Sequence, residues 1–339
     1  MQVQENISLK PFNTFGMDVK ARYFAQFNSF DEFATLIEGI PQSYTIPHLI
    51  LGGGSNVLFT KAFDGWVLNN QITGIRLLKE DANYFYVEAG AGENWHTFVL
   101  YCINHGYAGI ENLSFIPGSV GAAPIQNIGA YGVELKDVFE SLEAYHIHEK
   151  KILHFNNTDC CFDYRNSIFK TTYKNQLVIL RVCFKLQKVP IYKTSYGAIE
   201  QELTKMGIEN YTIKSISDAV IKIRTAKLPN PSLIGNAGSF FKNPIISINK
   251  FKQITQAFPD IPSFSSTNGT KKIAAGWLIE QAGWKGFRNK DAGCYSNQSL
   301  VLVNYGHATG IEILALSQSI IESVEKKFAI QLEPEVNIY

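Results

Sequence analysis

A segment in the first half of the chain, residues 116–132, reads IPGSVGAAPIQNIGAYG. It belongs to a longer stretch, residues 112–133, that contains no charged residue. Its prolines and glycines disfavour a lipid-facing helix, and it is too apolar for an ordinary surface loop. Small side chains let backbone pass close to a flat or charged ligand, and the amides of Gln126 and Asn127 suit the edge of a heterocycle. We therefore expect buried, irregular backbone beside a ligand, with a tightly packed connection as the alternative.

A second glycine-rich element lies upstream. The apolar residues 49–51 run directly into Gly52, Gly53 and Gly54, followed by Ser55 and Asn56. Glycines let successive backbone N–H groups point at one anion, so the pattern is typical of a phosphate-binding loop, although a plain tight turn would look the same. The segment fails the GxGxxG dinucleotide pattern at its last position, and no GxxxxGK[ST] motif occurs.

Composition sets the class of protein. The chain has 339 residues, 45% of them hydrophobic and 18% charged, with a net charge of +1. No polybasic run, apolar leader or CxxC motif is present, so we expect a cytoplasmic protein that binds neither nucleic acid nor membrane. His146 and His148 alternate on a predicted strand but lack further ligands at metal-binding spacing, and no metal site is expected.

Short β-rich runs mix with capped helical segments, which predicts an α+β fold. Ser29 and Glu32 form a capping-box pattern, and Asn94 is placed to cap a helix that Gly106 ends. Further helices are predicted at 215–227, 247–258, 272–281 and 309–327. The predicted strands are 49–51, 65–68, 84–89, 139–148, 177–186, 300–303 and the C-terminal tail. Residues 259–270 are predicted to form an exposed, mobile loop.

Three further segments carry candidate reactive side chains: Arg165 in YRNSIFK at 164–170, Ser239 in GNAGSFFKNP at 235–244, and Glu335 in LEPEV at 332–336. An arginine among aromatic residues is often a carboxylate clamp. A serine between Gly238 and two phenylalanines should be stiffly placed and partly desolvated. Taken singly, each residue is better explained by a structural role: Arg165 by a salt bridge, Ser239 by the start of a strand and Glu335 by a solvated strand end.

Taken together and in order, these segments resemble the UDP-N-acetylenolpyruvoylglucosamine reductases of bacterial peptidoglycan precursor synthesis. The resemblance extends from LKPFNTFG at 9–16 to LEPEV at 332–336. It implies a non-Rossmann FAD-binding fold of the vanillyl-alcohol oxidase type, with a C-terminal α+β substrate domain. The implied division is an FAD-binding subdomain at 1–70, a second at 71–214 and a substrate domain at 215–339, with the C-terminal strand free to return to the FAD region.

The resemblance also implies cofactors. NADPH would reduce FAD, and reduced FAD would deliver hydride to the enolpyruvyl group of a UDP-sugar. Covalent relatives often carry a histidine near the first glycine loop, where this chain has Ser55 and Asn56, so non-covalent FAD is expected. The residues implied to hold FAD are Gly52, Gly53, Gly54, Ser55, Asn56, Pro117, Gly118, Ser119, Gly121, Gln126, Asn127 and Gly129.

The implied proton donor is Ser239, and the implied pair that polarises the enolpyruvyl carboxylate is Arg165 with Glu335. Tyr196 resembles the lid tyrosine of one branch of the family, while Lys227 and Asn243 resemble its diphosphate contacts. The chain departs from the family pattern at three positions: Phe264 replaces a tyrosine, Asn230 an aspartate and Asn337 a basic residue.

Two other readings stay open. Another flavin enzyme on the same scaffold, such as an oxidase of a sugar or hydroxy acid, needs the glycine loops but not the three reactive residues. A flavin- or nucleotide-binding module without turnover needs none of them. A monomer is expected in each case.

Overall fold

The computed structural model describes residues 2–40, 47–265 and 269–339. Its seven helices within these ranges are α1 Phe30–Gly39, α2 Trp95–Asn104, α3 Ile199–Lys205, α4 Ile213–Lys227, α5 Ile248–Ala257, α6 Ala275–Gln281 and α7 Gly310–Phe328. None of the described helices is both long and apolar enough to cross a membrane.

The strands are short, as the broken β-rich runs of the sequence predict. Up to residue 156 they are β1 Gln4–Ser8, β2 Lys20–Phe27, β3 His48–Leu51, β4 Val57–Leu58, β5 Phe63–Asn70, β6 Ile75–Glu80, β7 Tyr84–Gly90, β8 Gly129–Ala130, β9 Val133–Glu134, β10 Phe139–His146 and β11 Lys151–Asn156. The others are β12 Leu177–Gln187, β13 Gly235–Ser239, β14 Ile245–Ser247, β15 Ser263–Ser265, β16 Thr270–Ile273, β17 Arg288–Asn289, β18 Ala292–Cys294, β19 Val301–Asn304 and β20 Asn337–Ile338.

The chain divides into two units, and neither is continuous in sequence. The first unit comprises residues 1–7, 21–54 and 63–226, and the second comprises 8–20, 55–62 and 227–339. Two short segments of the N-terminal half, 8–20 and 55–62, thus belong to the unit that contains the C-terminal residues.

The first unit contains two sheets. One has the order β1-β2-β5-β3, with β5 parallel to both β2 and β3; the other is antiparallel, in the order β11-β10-β12-β7-β6. A core of aromatic and aliphatic residues packs around Trp95, Phe98 and Phe184, all almost fully buried. Burying side chains of this size is the main driving force for such a unit.

The second unit is built on a sheet of order β13-β19-β18-β17, a three-stranded sheet β14-β16-β15 and a parallel pair of β20 with β4. The LKPFNTFG segment supports its first strand: Asn236 N–H donates to Thr14 O at 3.0 Å, and the Phe15 ring lies edge-on to Phe240. The early segment 8–20 therefore belongs structurally with residues more than 200 positions away.

The predicted caps at Asn94 and Ser29 are confirmed, but the predicted capping box of Ser29 and Glu32 is not. Asn94 Oδ1 accepts from Thr97 N–H at 3.0 Å at the start of α2, and Gly106 adopts φ +75° just after its end. Ser29 caps α1, but Glu32 accepts from Asn28 N–H instead of completing the box with Ser29. The long helix α7 begins at a complete capping box of Thr309 and Glu312.

Several predicted boundaries are wrong. The strand predicted at 139–148 ends at His146, so His148 lies outside it. Lys272 and Ile273 belong to β16, not to the following helix, because they pair with β14 and β15. The predicted loop 259–270 contains β15 and the first residue of β16; its positions 266–268 lie outside the described residues. The segment 112–133 is irregular as predicted, with single 3₁₀ turns at Glu111–Leu113 and Val120–Ala122 and the short hairpin β8–β9.

Candidate active site

The two glycine-rich loops meet in the first unit. A Cβ built on Gly52 would lie 2.2 Å from Ser119 Oγ, and one on Gly53 would lie 3.1 Å from Gly118 Cα. A Cβ on Gly52 would require Ser119 Oγ to move, and the contact at Gly53 would be tighter than ordinary van der Waals packing. The loop after β3 and the 116–122 segment therefore form one backbone surface.

The second loop is fixed to the start of α2. Trp95 N–H donates to Gly118 O at 3.0 Å, and Gly121 N–H donates to Ala91 O at 2.8 Å. Gly121 is also packed against Ala91, since its Cβ would lie 2.5 Å from the alanine Cβ. Gly53, Pro117 and Ala122 stay exposed, so the joined loops present small or cyclic residues to solvent.

The amides at 126 and 127 have different surroundings. Asn127 is fully buried; its Nδ2 donates to Glu134 Oε2 and to Asp163 O, each at 3.0 Å, and its Oδ1 accepts from Lys136 N–H. Its side chain therefore holds the protein loop together, and Gln126 is the half-buried amide of the pair.

Arg165 lies at the apex of a tight hairpin closed by two backbone hydrogen bonds between Asp163 and Asn166. Its backbone has φ +52°, a region that non-glycine residues seldom adopt. The guanidinium donates from Nη2 to Gly129 O at 2.8 Å, and a Cβ on Gly129 would lie 3.4 Å from Nη1. Gly129, predicted as a cofactor residue, thus contacts Arg165; the tighter neighbours of an added Cβ would be Glu134 Cγ at 3.0 Å and Val133 O at 3.1 Å.

The predicted lid tyrosine packs against a second Tyr-Gly pair. Tyr131 and Gly132 connect β8 to β9 with φ +48° and +79°, the paired positive values of a type I′ hairpin turn. A Cβ on Gly132 would lie 3.2 Å from Tyr196 Cβ, and one on Gly197 would lie 3.3 Å from Tyr131 Cδ1. Each glycine therefore accommodates the tyrosine of the other pair.

Sequence reasoning missed Arg224, which lies on α4 in the first unit. Burial lowers the pKa of Arg224; Tyr131 acts to raise it, and the positive charge of Arg165 acts to lower it. Burial likewise raises the pKa of Tyr196, while Arg165 acts to lower it. Two arginines and two tyrosines are thus neighbours, a combination suited to oxyanions. An amphipathic helix pattern carries no signal that singles out this arginine.

In the second unit, the structure brings Ser239 close to Glu335. Glu335 N–H donates to Phe240 O at 2.7 Å, and Phe241 forms a β-bridge with Pro334. Gly238 at φ +69° creates an irregularity in the β13–β19 pairing, and Asn236 Oδ1 accepts from its N–H. Ser239 is firmly placed, but it is exposed and not partly desolvated as predicted, because Phe240 and Phe241 take the buried positions.

Asn56 is tied to the C-terminal strand within the second unit. Its Nδ2 donates to Glu335 O at 3.3 Å, and its own carbonyl accepts from both the N–H and Nδ2 of Asn337. The departure at Asn337 therefore supplies an amide that holds Asn56. Ser55 is half-buried beside it, whereas Gly52 to Gly54 belong to the first unit.

The remaining predicted residues lie in the second unit. Lys227 is exposed at the end of α4, and Asn243 Oδ1 accepts from the first N–H of α6. Asn230 Oδ1 accepts from Ser232 N–H and Oγ, a role for which an aspartate oxygen would also serve. Phe264 is exposed and pairs across the strands with Lys272. Within the described ranges, no cluster of three metal-binding side chains occurs.

The comparison with known proteins covers both halves of the chain. Residues 230–339 match the family described as the C-terminal domain of UDP-N-acetylenolpyruvoylglucosamine reductase. A curated protein of that name from Amoebophilus asiaticus is 53% identical over 100% of this chain and 99% of its own length. The chain belongs to the UDP-N-acetylenolpyruvoylglucosamine reductase family. Curated proteins of the same name from Flavobacterium johnsoniae and Pseudomonas putida are each 47% identical over 100% of this chain. The match covers 100% of the Flavobacterium johnsoniae protein and 99% of the Pseudomonas putida protein.

The fold agrees with this reductase family. The crystal structure of UDP-N-acetylenolpyruvylglucosamine reductase from Thermus caldophilus superposes with a TM-score of 0.68 at 23% identity, covering 100% of this chain and 99% of the other. Residues 22–153 match an FAD binding domain family. The predicted α+β, non-Rossmann FAD-binding fold is confirmed, and the chain is an FAD-dependent oxidoreductase.

The first unit fits that cofactor. The joined loops offer side-chain-free backbone at Gly52 and Gly53, where an added Cβ would crowd the opposite loop, and Gly53 is exposed. Such backbone admits close approach by a diphosphate or a flat ring.

Proposed function

We propose that this protein uses NADPH to reduce the enolpyruvyl group of UDP-N-acetylglucosamine enolpyruvate, giving UDP-N-acetylmuramate for peptidoglycan precursor synthesis. The observation that carries the proposal is the match to reductases of this name along the whole chain, 53% identical in the Amoebophilus asiaticus protein. The proposed setting is a monomer in the cytoplasm that serves cell-wall biogenesis, and through it cell shape and division.

The first unit is proposed to hold FAD through Gly52, Gly53, Gly54 and the second loop, and Ser55 and Asn56 are proposed as FAD-binding residues as well. FAD, when bound, accepts hydride from NADPH and supplies it to the enolpyruvyl double bond. The attachment is non-covalent. Ser55 and Asn56 offer no imidazole, and the ring of His48 on the preceding strand lies 3.3 Å from Asn175 O. Within the second loop, Asn127 acts by holding the backbone in place.

Arg165 is proposed to clamp the enolpyruvyl carboxylate. Its bond to Gly129 O fixes the plane of the guanidinium, so the cation is oriented in advance. A fixed cation stabilises the negative charge that develops as the double bond is reduced, and it needs no rearrangement during the reaction. Arg224 is proposed as a second cation of the same site.

Ser239 is proposed to donate the proton that the alpha carbon gains, and Glu335 to polarise the carboxylate together with Arg165. The β-bridge between Phe241 and Pro334 joins the segments that carry Ser239 and Glu335. Because Ser239 is exposed in the structure, exclusion of water from its hydroxyl is left to the bound substrate. The carboxyl group of Glu335 can lie beside the substrate carboxylate only if Glu335 is protonated or paired with a cation.

The UDP-sugar diphosphate is proposed to contact Lys227, Asn243 and Tyr196. The two FAD-binding subdomains are proposed to span 1–70 and 71–214, and the substrate domain 215–339. Phe264 would give the substrate a ring without a hydroxyl group. These assignments rest on the resemblance of the motifs and on the neighbourhood of Tyr196, Arg165 and Arg224 within the first unit.

The test is stopped-flow measurement of the two half-reactions in wild type and Ser239→Ala, with Ser319→Ala as the matched control. Ser319 is an exposed serine on α7, outside the proposed site. We expect wild-type protein to be yellow, to bleach with NADPH and to regain colour on adding the UDP-enolpyruvyl sugar. Ser239→Ala should bleach normally and regain colour about 10²–10⁴-fold more slowly, the usual contribution of a general acid.

Ser239→Cys should keep part of the activity, because a thiol also donates a proton. Equal slowing of both half-reactions in Ser239→Ala would contradict the proton-donor role. A wild-type protein that bleaches with NADPH yet never regains colour with the UDP-sugar would overturn the proposed substrate. Flavin that stays on the precipitated chain after acid denaturation would overturn non-covalent binding.

A further inference from the structure

Phe115 has an unusual backbone for its size. It precedes the glycine-rich segment, has φ +60° and exposes 40% of its surface. A bulky residue with positive φ is a conformational outlier, and such strain persists only where the surroundings over-determine it. The backbone at Phe115 is therefore held by its neighbours, and the contacts that hold it identify which residues matter.

Two side chains from two helices bind this one residue. Phe115 N–H donates to His96 Nδ1 at 3.0 Å, and Phe115 O accepts from Arg224 Nε at 3.1 Å. His96 is the second residue of α2, and Arg224 is near the end of α4. The ring of Phe115 also meets the His96 ring edge-on, with centroids 5.5 Å apart. His96 and Arg224 are thus linked through a single peptide residue.

The bond from Phe115 requires neutral His96. A ring nitrogen that accepts a hydrogen bond carries no proton, so the proton of neutral His96 is on Nε2. Burial is the main cause that lowers the pKa of His96, and the positive charge of Arg224 lowers it further. Arg224 is the charged group that acts on it among the described residues, and both effects favour the form that can accept.

Arg224 needs an external orienting contact. Among the described residues it forms no salt bridge, and its hydrogen bond goes to Phe115 O. Arg165 is close enough for its charge to oppose that of Arg224. Two neighbouring cations are stable together when an anionic or oxygen-rich group lies between or beside them. The bond to Nε fixes the guanidinium plane, which sets where its other N–H groups can meet such a ligand.

We infer that His96 is a positioning residue, which holds the strained Phe115 backbone so that Arg224 is oriented as a second cation beside Arg165 for an oxygen-rich group of the bound ligands. The inference rests on the proposed function for the identity of those ligands. The shared chemistry is an anionic or carbonyl oxygen, which either the UDP-sugar or the flavin can supply.

The test compares His96→Asn with His96→Leu. The Oδ1 atom of asparagine lies near the position of Nδ1 and can accept from Phe115 N–H, whereas leucine cannot. We expect His96→Leu to raise the KM for the UDP-sugar, or the dissociation constant for FAD, about tenfold or more, a loss of ~1.4 kcal/mol. kcat should change little, and His96→Asn should stay within about threefold of wild type. His105→Leu is the matched control, since that histidine follows α2 and its Nδ1 lies 2.8 Å from Tyr101 O.

The affected quantity identifies the source of the oxygen group. A raised KM with unchanged FAD binding places Arg224 at the substrate, while loss of FAD places it at the flavin. FAD binding is measured by fluorescence without turnover, so a failure of the proposed substrate would not mask this result. In His96→Leu/Arg224→Met, the loss should be no greater than in Arg224→Met alone, because His96 acts through Arg224.

Titration gives an independent readout. Affinity in wild type should weaken as pH falls through the lowered pKa of His96, and His96→Asn should lose that dependence. Equal affinities in the Leu and Asn variants, full additivity in the double variant, or a change in unfolding free energy with ligand affinities intact would each overturn the inference.

Discussion

Gly132 lies directly against Tyr196: a Cβ added to the glycine would stand 3.2 Å from the tyrosine Cβ. The reciprocal contact, Gly197 against Tyr131, makes the two Tyr-Gly pairs interlock within the first unit. The position of Tyr196 therefore depends on a residue more than 60 positions earlier in the chain.

Gly132→Ala should displace Tyr196. The new methyl group has too little space, and φ +79° strains any residue with a Cβ. We expect the KM for the UDP-sugar to rise about tenfold, ~1.4 kcal/mol, with flavin bleaching by NADPH unchanged. Gly207→Ala is the control, because Gly207 has a similar φ of +69° with nothing within 4 Å of its Cβ. If both variants raise the KM equally, the contact with Tyr196 is irrelevant and backbone strain explains the loss.

Gly52→Ala should weaken FAD binding at least about tenfold, or ~1.4 kcal/mol, because the Cβ would lie 2.2 Å from Ser119 Oγ. Fluorescence titration of the flavin measures the effect. Ser119→Gly alone measures the loss of its own proposed FAD contact. In the double variant the obstructing side chain is gone, so the loss of FAD affinity should be smaller than the sum of the two single losses. Gly39→Ala serves as the control, since its Cβ would meet nothing within 4 Å. Fully additive losses in the double variant would show that the two loops do not act together.

Asn112→Asp should destabilise the first unit and loosen the Tyr196 segment. Asn112 is 1% exposed, and its Nδ2 donates to Tyr131 O at 2.9 Å and Lys193 O at 2.8 Å. A carboxylate at this position faces two carbonyl oxygens, and leaving buried acceptors unpaired costs about 1–3 kcal/mol. The free energy of unfolding measured with denaturant should fall, and the KM for the UDP-sugar should rise.

The control for this variant is Asn157→Asp. Asn157 Nδ2 also donates to two carbonyls, Lys136 O and Phe139 O, but the residue is exposed. Water can compensate there, so the loss of stability should be much smaller. Similar losses at both positions would mean that burial of Asn112 is not what matters.

Arg165→Lys should lower kcat by about 10²-fold while FAD stays bound, since electrostatic groups of this kind contribute that much singly. Lysine keeps the charge but loses the planar guanidinium that Gly129 O now orients. Arg181→Lys is the control: Arg181 lies on β12, 3.6 Å from a carboxylate oxygen of Glu88. Near-normal turnover in Arg165→Lys would restore a purely structural role for Arg165.

The features predicted correctly from sequence are mostly local. The cap at Asn94 and the stop at Gly106 depend on neighbouring residues, so the pattern alone is sufficient. The sequence predicts a helix at Lys272 and Ile273, whereas the structure places them in β16. Their pairing with β14 and β15 is set by tertiary packing and not by neighbouring residues, so the local pattern does not show it. Arg224 escaped notice for the same reason: its partner Phe115 is on a distant segment.

The site residues divide similarly. Arg165 and Ser239 stand out because each is in a distinctive motif. The exposure of Ser239 could not be anticipated, because it depends on which way Gly238 turns the strand before Phe240. The contact between Gly52 and Ser119 could not be predicted from sequence, because 66 other residues separate them and only the tertiary fold brings them together.

The interrupted second unit has a consequence for biosynthesis. Its parallel pair joins Asn337 and Ile338 to Val57 and Leu58, and Thr60 binds Tyr339 O through both its N–H and its hydroxyl. During translation, residues 55–62 therefore emerge long before their partners, whereas the first unit is complete at residue 226. Asn337 must therefore be translated before Ser55 and Asn56 can be fixed, so the loop at Gly52 to Gly54 can form earlier in synthesis than the contacts of the two residues that follow it.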